Sequence, residues 1–555
     1  MTNSSTSDLW WKNAIVYCLD VETFLDWDGD GHGDIRGLTE RLDYLAGLGI
    51  TCVWLMPFFP SPNRDDGYDV TDYYSVDPRL GDLGDFVALV RTAKDRGLRV
   101  IIDLVINHTS DQHPWFQASR SDPDSPFRDF YVWREEPSEE PTGDPVFPDA
   151  EDSIWSWDRE AEKWYLHHFY SHQPDLNIAN PAVRREFEKI AGFWLELGVD
   201  GFRVDAVPFL LETGGILGAE GMDAHDLLRG LRQFMGRRRS SAVTLGEVNL
   251  PPEPLREYFG DEDGDELHML FNFPVMQSMY LALAREDATP LVDTLRGLPD
   301  IPDESQWANF ARNHDELTLD QLTDEERQEV FDAFGPDENM QLFGRGLRRR
   351  LAPMLGGDQA RLRLVHSLVF TLPGTPVLFY GDEIGMGENL DIEGRLSVRT
   401  PMQWRSGPNG GFSTGRPENL QRPLVEGDFG PDHVNVAAQH GDPNSLLNWM
   451  ERMIRIRRES PEFGWGQSHY LETDDPAVLA HRCDWTPRSA LAVHNLSAQS
   501  RKVSLTVGDD ATELEDILGG ADTPEIRKDG TIEFEIDGYG YRWFRVIYGG
   551  NYRPI

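Results

Sequence analysis

The heptapeptide GFRVDAV, residues 201–207, sets Arg203 and Asp205 two apart inside an apolar run. Side chains of a strand alternate between faces, so these two share one face while Phe202, Val204 and Ala206 share the other. A cation and a carboxylate turned inward together are either a structural ion pair or a catalytic carboxylate positioned by an arginine, and the stretch alone leaves both readings open. Two further acids close apolar runs in the same way: Glu247 in TLGEVN and Asp315 in ARNHDE. His108 closes VIIDLVINH, and His314 directly precedes Asp315. Two carboxylates facing a sugar acetal divide labour by environment. One stays ionised as nucleophile; the other, with a raised pKa, protonates the leaving oxygen. Arg203 makes Asp205 the natural nucleophile, and Glu247, with no cation adjacent in sequence, suits the acid/base. A third acid can hold sugar hydroxyls, and Tyr68, Phe169, Tyr170 and Trp404 offer faces on which a ring can pack.

Strand-like runs near 14–21, 51–57, 99–107, 201–207, 242–248, 268–274, 308–315 and 376–383 must position these groups. They alternate with helical patterns such as RGLTERLDYLAGLG and REFEKIAGFWLELG, several ending in the glycine usual past a helix C-terminus. Eight strands with helical crossovers predict a (β/α)8 barrel, with a doubly wound sheet as the structural alternative. In a barrel, Asp205, Glu247 and Asp315 fall at the C-terminal ends of strands four, five and seven, where catalytic groups collect. Like charges resist burial together, so this convergence favours a functional reading of Asp205. Residues 109–178 are too long for a plain loop and read as a subdomain inserted after strand three. A charged, helical insertion at about 318–358 follows strand seven. Beyond residue 463 short alternating runs predict an antiparallel β-sandwich domain. The expected division is 1–108 and 179–462 for the barrel, 109–178 for the insert and 463–555 for the β-domain.

The 555 residues carry a formal net charge of −44, which argues against nucleic acid or an anionic membrane as partner. No apolar run is long enough for a transmembrane helix, and MTNSSTSDLWWKNAIVY lacks the pattern of a secretory signal. Three cysteines are too few for a disulfide framework, which points to a reducing, cytoplasmic home. Homo-oligomerisation is left open.

The motifs DGYDV (66–70), DLVINH (103–108), QPDLN (173–177), GFRVDAV, GEVN (246–249), RNHDE (312–316) and RTPMQW (399–404) stand in the order found in glycoside hydrolase family 13, the α-amylase superfamily, which the chain resembles over essentially its whole length. Within that family SPNRDDGYDV, HTSDQHPWF, RNHDELTL and RRRLAPMLG look most similar to trehalose synthases, which interconvert maltose and trehalose. The resemblance implies Asp205 as nucleophile, Glu247 as general acid/base and Asp315 as transition-state stabiliser. It also implies Asp65, Tyr68, His108, Gln173, Arg203, His314 and Arg395 around the nonreducing glucose of a small α-glucoside, with Arg203 keeping Asp205 charged. The sequence departs from the trehalose synthase pattern at GEVNL, YCLDVETF and DPVFPDAEDSIWSWD. These changes fall around the acceptor side and the closing loop. They leave the retaining chemistry intact and both isomerisation and hydrolysis as outcomes. A catalytically silent binding subunit is disfavoured, because all three acids are present.

In DWDGDGHGD (26–34), Asp26, Asp28, Asp30 and Asp34 occupy positions one, three, five and nine of a calcium-type loop, with the carbonyl of His32 at seven. An acidic surface turn is the alternative. The same loop in family relatives favours a structural Ca2+, and Asn107 with Asp175 form a weaker second candidate.

Overall fold

A computed structural model describes residues 9–137, 145–212, 221–508, 511–520 and 523–548. Eight parallel strands close a barrel in the order β1-β14-β10-β9-β8-β7-β3-β2. In chain order β1 is Val16–Leu19, β2 Cys52–Leu55 and β3 Arg99–Leu104. The inserted β4 (Trp133–Arg134), β5 (Trp155–Asp158) and β6 (Lys163–Leu166) form a separate three-stranded sheet with its own small apolar core, which includes Val132, Ile154, Trp155 and Leu166. The barrel resumes with β7 (Gly201–Val204), β8 (Val243–Gly246), β9 (Met269–Phe271) and β10 (Gln306–Phe310). After a second small sheet of β11 (Leu317–Thr318), β12 (Gln341–Leu342) and β13 (Gly346–Leu347), it closes with β14 (Thr375–Phe379).

The strands are shorter than the apolar runs that announce them, because the residues past each strand end turn away to build the site. Gly201 opens β7 where a Cβ would lie 2.2 Å from the Val243 carbonyl oxygen, so only glycine lets β7 and β8 pair this closely. Helices Ile35–Leu48, Leu83–Asp95, Pro181–Glu196 and Gln359–Thr371 pack their apolar faces outside the barrel. Their first turns are fixed by Asp34, Asp82, Asn180 and Asp358, each accepting a backbone N–H as N-cap. The segment expected to be helical at 318–358 does contain a helix, Asp324–Phe334, but also the β11–β13 sheet, which its charged composition conceals.

Past the barrel, β15 (Gln467–Tyr470), β16 (Val478–Trp485), β17 (Arg488–Asn495), β21 (Tyr541–Tyr548) and β19 (Ala511–Asp516) make a five-stranded antiparallel sheet. It faces the two-stranded β18 (Arg501–Thr506) and β20 (Thr531–Ile536) across a core that includes Leu491, Val503, Ile532 and Phe544. Its other face docks on the barrel through polar side chains: Trp543 Nε1 donates to Ser367 Oγ at 2.8 Å, and His481 Nε2 lies 2.8 Å from the Thr371 carbonyl oxygen. No described helix is long and apolar enough to cross a membrane.

Candidate active site

Arg203 and Asp103 are register partners on adjacent parallel strands, so their inward side chains meet inside the barrel mouth. Arg203 Nη1 donates to Asp103 Oδ1 at 2.6 Å and also to Asp205 Oδ1, while Nη2 donates to Glu247 Oε2 at 2.5 Å. Trp54 Nε1 anchors the far oxygen of Asp103 at 2.8 Å, and the guanidinium lies 5.3 Å from the Trp54 ring. One buried cation thus serves three carboxylates. Glu247, expected to lack a neighbouring cation, has one: the barrel register brings Arg203 across from the next strand, which sequence adjacency cannot show.

Asp205 follows β7 directly and Glu247 follows β8. Ala206, in a left-handed conformation (φ 51°, ψ 39°), turns the chain sharply between Asp205 and the helical turn Val207–Leu210. Two acids gripped by adjacent nitrogens of one planar guanidinium are a neighbouring pair, the arrangement that double displacement requires. Burial dominates their protonation. It raises Asp205 to about 6 despite Arg203, with Asp103 and Asp315 adding to the rise. Burial likewise raises Glu247 to about 7, again opposed by Arg203 and assisted by Asp205 and Asp315. Desolvation outweighs a cation that is shared three ways, yet at about 6 Asp205 still carries its charge for the most part at neutral pH. The ordering survives, with Glu247 the group that holds a proton longer.

Asp315 sits opposite. Its Oδ1 accepts from Arg395 Nη1 at 2.7 Å and Arg399 Nη2 at 2.9 Å, and its Oδ2 lies 3.1 Å from His314 Nε2. Burial alone would raise Asp315, but the neighbouring charges reverse this and hold it far below the carboxylate range. Burial also keeps His314 neutral, so at neutral pH the arginines carry that effect. Arg395 Nη2 reaches Asp65 Oδ1 at 2.6 Å, Gln173 Nε2 donates to Asp65 Oδ2 at 2.9 Å, and Tyr68 Oη lies 2.7 Å from His314 Nε2. His108 Nε2 contacts the Tyr68 carbonyl oxygen at 3.2 Å, and burial lowers its pKa. The expected residues thus form two bonded groups, Arg203 with Asp205 and Glu247, and Asp65, Gln173, Arg395, Asp315, His314 and Tyr68 with His108 on the Tyr68 carbonyl. The Arg203 guanidinium lies 6.0 Å from the Tyr68 ring between them.

Above them lies a cavity of about 410 Å3 lined by Glu247, Asp315, Arg395 and the rings of Phe147, Phe169 and Phe209, a size suited to a small molecule. Its rim joins the two insertions. Arg345 Nη2 donates to the Val146 carbonyl oxygen at 2.7 Å, and the Phe147 and Phe343 rings lie 5.3 Å apart. Tyr170 stacks behind Phe147 at 4.3 Å. Trp404, expected to face the sugar, is instead buried beside Phe24, with Arg41 over its ring at 4.2 Å. Its indole N–H is bonded to the Phe24 carbonyl oxygen at 2.8 Å.

Sequence reasoning passed over Asp103, although a lone acid inside VIIDLVI was a signal, and Arg399, which opens the RTPMQW motif. It also passed over Asp66 and Arg422, whose roles depend on contacts that nothing local marks.

At the 26–34 loop, carboxylate oxygens of Asp26, Asp28 and Asp34 lie within 4.8 Å of one another. Asp30 is not part of the group, and the His32 imidazole turns to Glu22 at 3.4 Å. An all-oxygen set of this size fits a hard cation. At the weaker candidate, Asn107 Nδ2 donates to Asp175 Oδ1 at 3.1 Å and His168 Nδ1 bonds Asp175 Oδ2. Burial opposes charging His168, but Asp175 and Glu212 overcome it and raise the imidazole to about 10, so Asp175 already has a partner there.

The model of the α-amylase catalytic domain matches residues 20–334 and 337–466, and that of the sucrose hydrolase-like C-terminal domain matches 488–545. The chain is 43% identical over 552 residues to a trehalose synthase of Pimelobacter sp., covering 97% of this chain and 96% of that one. It is 42% identical to a trehalose synthase/amylase of Mycolicibacterium smegmatis, covering 98% and 93%. The isomaltulose synthase structure from Klebsiella sp. LX3 superposes with a TM-score of 0.78 at 26% identity, covering 97% of this chain and 99% of that one.

Proposed function

The chain belongs to the α-amylase family, and on that premise we propose that it is a retaining α-glucosyl isomerase interconverting maltose and trehalose, with hydrolysis as its side reaction. The observation that carries this reading is the pair Asp205 and Glu247, held on one guanidinium at the floor of a cavity whose rim is latched by Arg345. Asp205 attacks the anomeric carbon of the nonreducing glucose while Glu247 gives its proton to the departing oxygen. That leaves a glucosyl ester on Asp205 and a free glucose in the cavity. The freed glucose turns, Glu247 takes the proton from its anomeric hydroxyl, and attack on the ester yields the other disaccharide. Water entering first gives two glucoses instead. Asp315 and Asp65, tied together by Arg395, bind the hydroxyls of the ring that flattens in the transition state, and Arg399 holds Asp315 charged.

Incubation with maltose and separation of trehalose from glucose tests the proposal; glucose as sole product defeats the isomerase assignment and leaves an α-glucosidase. Asp26, Asp28 and Asp34 are the residues that would hold a structural Ca2+, which would neutralise their mutual repulsion and pin the loop after β1. Chelation lowering the melting temperature, with recovery on adding calcium, tests that part. The buried free thiols of Cys18, Cys52 and Cys483 support a cytoplasmic location.

A further inference from the structure

Arg422 lies in the segment that follows the RTPMQW motif, far along the chain from the three carboxylates it touches. Its guanidinium is buried among Asp20, Glu22 and Asp66. Nη2 bonds Asp66 Oδ1 and lies 3.3 Å from Glu22 Oε2, while Nη1 lies 3.4 Å from Asp20 Oδ2. Nη1 also donates to the backbone carbonyl oxygen of Arg399 at 2.8 Å. Arg399 in turn gives Nη1 to Asp66 Oδ2 at 2.6 Å, Nη2 to Asp315 Oδ1 at 2.9 Å and Nε to the His314 carbonyl oxygen at 2.8 Å. The Asp66 carboxylate is therefore clamped between two arginines, one oxygen each. We propose that Arg422 is a positioning residue of the active site, which fixes Asp315 through Arg399 and Asp65 through the clamped backbone of Asp66.

Three features separate this from generic core packing. Asp66 sits at φ +53°, a left-handed conformation that costs a non-glycine residue on the order of 1 kcal/mol and persists only where its surroundings enforce it. The two arginines supply that enforcement, and the residue so held immediately precedes Gly67 and Tyr68 and follows Asp65, two of the groups facing the cavity floor. The clamp also grips the back of Arg399 at its carbonyl, so removing Arg422 releases the main chain behind the side chain that orients Asp315 and takes away one of the two cations on Asp66. Finally, the positive charge in the cluster is shared unevenly. Burial, with Asp66 adding to it, pushes Asp20 up to about 7 despite Arg422. Against the same burial, Arg422 and Arg399 pull Asp66 down to about 2. The arginines spend their charge on the residue that carries the geometry.

The segment bearing Arg422 is itself seated on the 26–34 loop. Gln421 N donates to the Gly31 carbonyl oxygen at 3.1 Å, and Ser413 Oγ to Asp26 Oδ2 at 2.5 Å. A Cβ at Gly31 would lie 1.9 Å from the Asn419 carbonyl oxygen, so the seat accepts only glycine.

The inference rests on the assignment of Asp315 and Asp65 to the glucose site, and the test separates the two. The variants R422A, R422K and D66N are assayed with maltose for kcat, KM and melting temperature, and R422A also with millimolar guanidinium chloride. A displacement of about 1 Å at the reacting groups lowers rates roughly 100-fold. R422A and D66N are expected to lose about that factor in kcat with KM changed far less, because the interactions lost are those of the transition state. Guanidinium, but not sodium or ammonium at equal ionic strength, restores activity to R422A. R422K recovers little, since an ammonium cannot give the forked contacts to Asp66 and the Arg399 carbonyl together. If R422A fails to fold, R422K and D66N decide. Folded variants with kcat within about 3-fold of the parent, or a loss of activity that only tracks a lowered melting temperature, overturn the inference. A parent enzyme inactive on maltose and trehalose would instead sink the functional assignment on which it rests.

Discussion

Replacing Asp103 with asparagine keeps the shape but removes the charge, and since Arg203 and Trp54 each donate to a different carboxylate oxygen, the single amide oxygen can accept from only one of them. Asp103 Oδ1 lies 2.6 Å from Arg203 Nη1, and Asp205 Oδ1 bonds the same nitrogen, so the two carboxylate oxygens are no more than about 5 Å apart. At an effective dielectric of about 20, unit charges at that distance repel by roughly 3 kcal/mol, or about 2 pKa units. In the parent enzyme, with Asp205 at about 6 and Glu247 at about 7, kcat/KM should rise as Asp205 ionises and fall as Glu247 loses its proton. The pair titrates as a unit, so the two limbs are apparent values. In D103N, Asp205 loses a repelling neighbour and Arg203 divides its charge between two acids instead of three. Both limbs should therefore move to lower pH, the acid limb by about 1–2 units. Activity at pH 7 falls because Glu247 is then mostly deprotonated. The assay is kcat/KM for maltose from pH 4 to 9, with melting temperature as the control for folding. Limbs that stay within about 0.3 units in a folded variant would refute the view that one guanidinium divided among three acids sets the working pH.

Asp205→Asn should reduce turnover to about one ten-thousandth or less while the melting temperature stays equal or rises, because a buried carboxylate has been removed; undiminished turnover refutes the assigned nucleophile. Arg345→Ala removes a charge-assisted bond to the Val146 carbonyl oxygen contributing ~1.5–3 kcal/mol, so the open rim becomes roughly 10- to 150-fold more populated. The glucose-to-trehalose ratio measured from maltose should rise accordingly, with an unchanged ratio excluding the latch. Burial lowers His481 to about 4, beside the stacked His494 on the seam between the C-terminal sheet and the barrel. A histidine held neutral in the fold contributes stability above its unfolded pKa of about 6.5, lost as pH falls through the folded value. About 3 kcal/mol of unfolding free energy should therefore vanish between pH 6.5 and 4, and His481→Asn should flatten that slope in thermal melts.

The barrel was legible because its strands are short, mostly apolar runs and its helices amphipathic, so periodicity separates them. The acids were legible because each closes such a run. Contacts made by the closed barrel were not. Nothing near Glu247 in sequence announces Arg203, whose side chain crosses from the neighbouring strand, and Asp103 was hidden inside a run read as core. Trp404 failed for the opposite reason. A tryptophan in a motif near the site was read as a binding face, whereas its indole N–H is spent on the Phe24 carbonyl oxygen. Arg422 had no local signal, because its three carboxylates lie some 350 to 400 positions earlier in the chain. Asp30 fits the spacing of a metal loop, but its carboxylate stands outside the group that Asp26, Asp28 and Asp34 form.

The bond from Arg345 ends on the main-chain oxygen of residue 146, an atom that every amino acid carries. Whatever side chain mutation puts at 146, the acceptor survives, so that position can drift while the fastening holds. The burden of keeping this bond falls on the Arg345 side of the mouth alone.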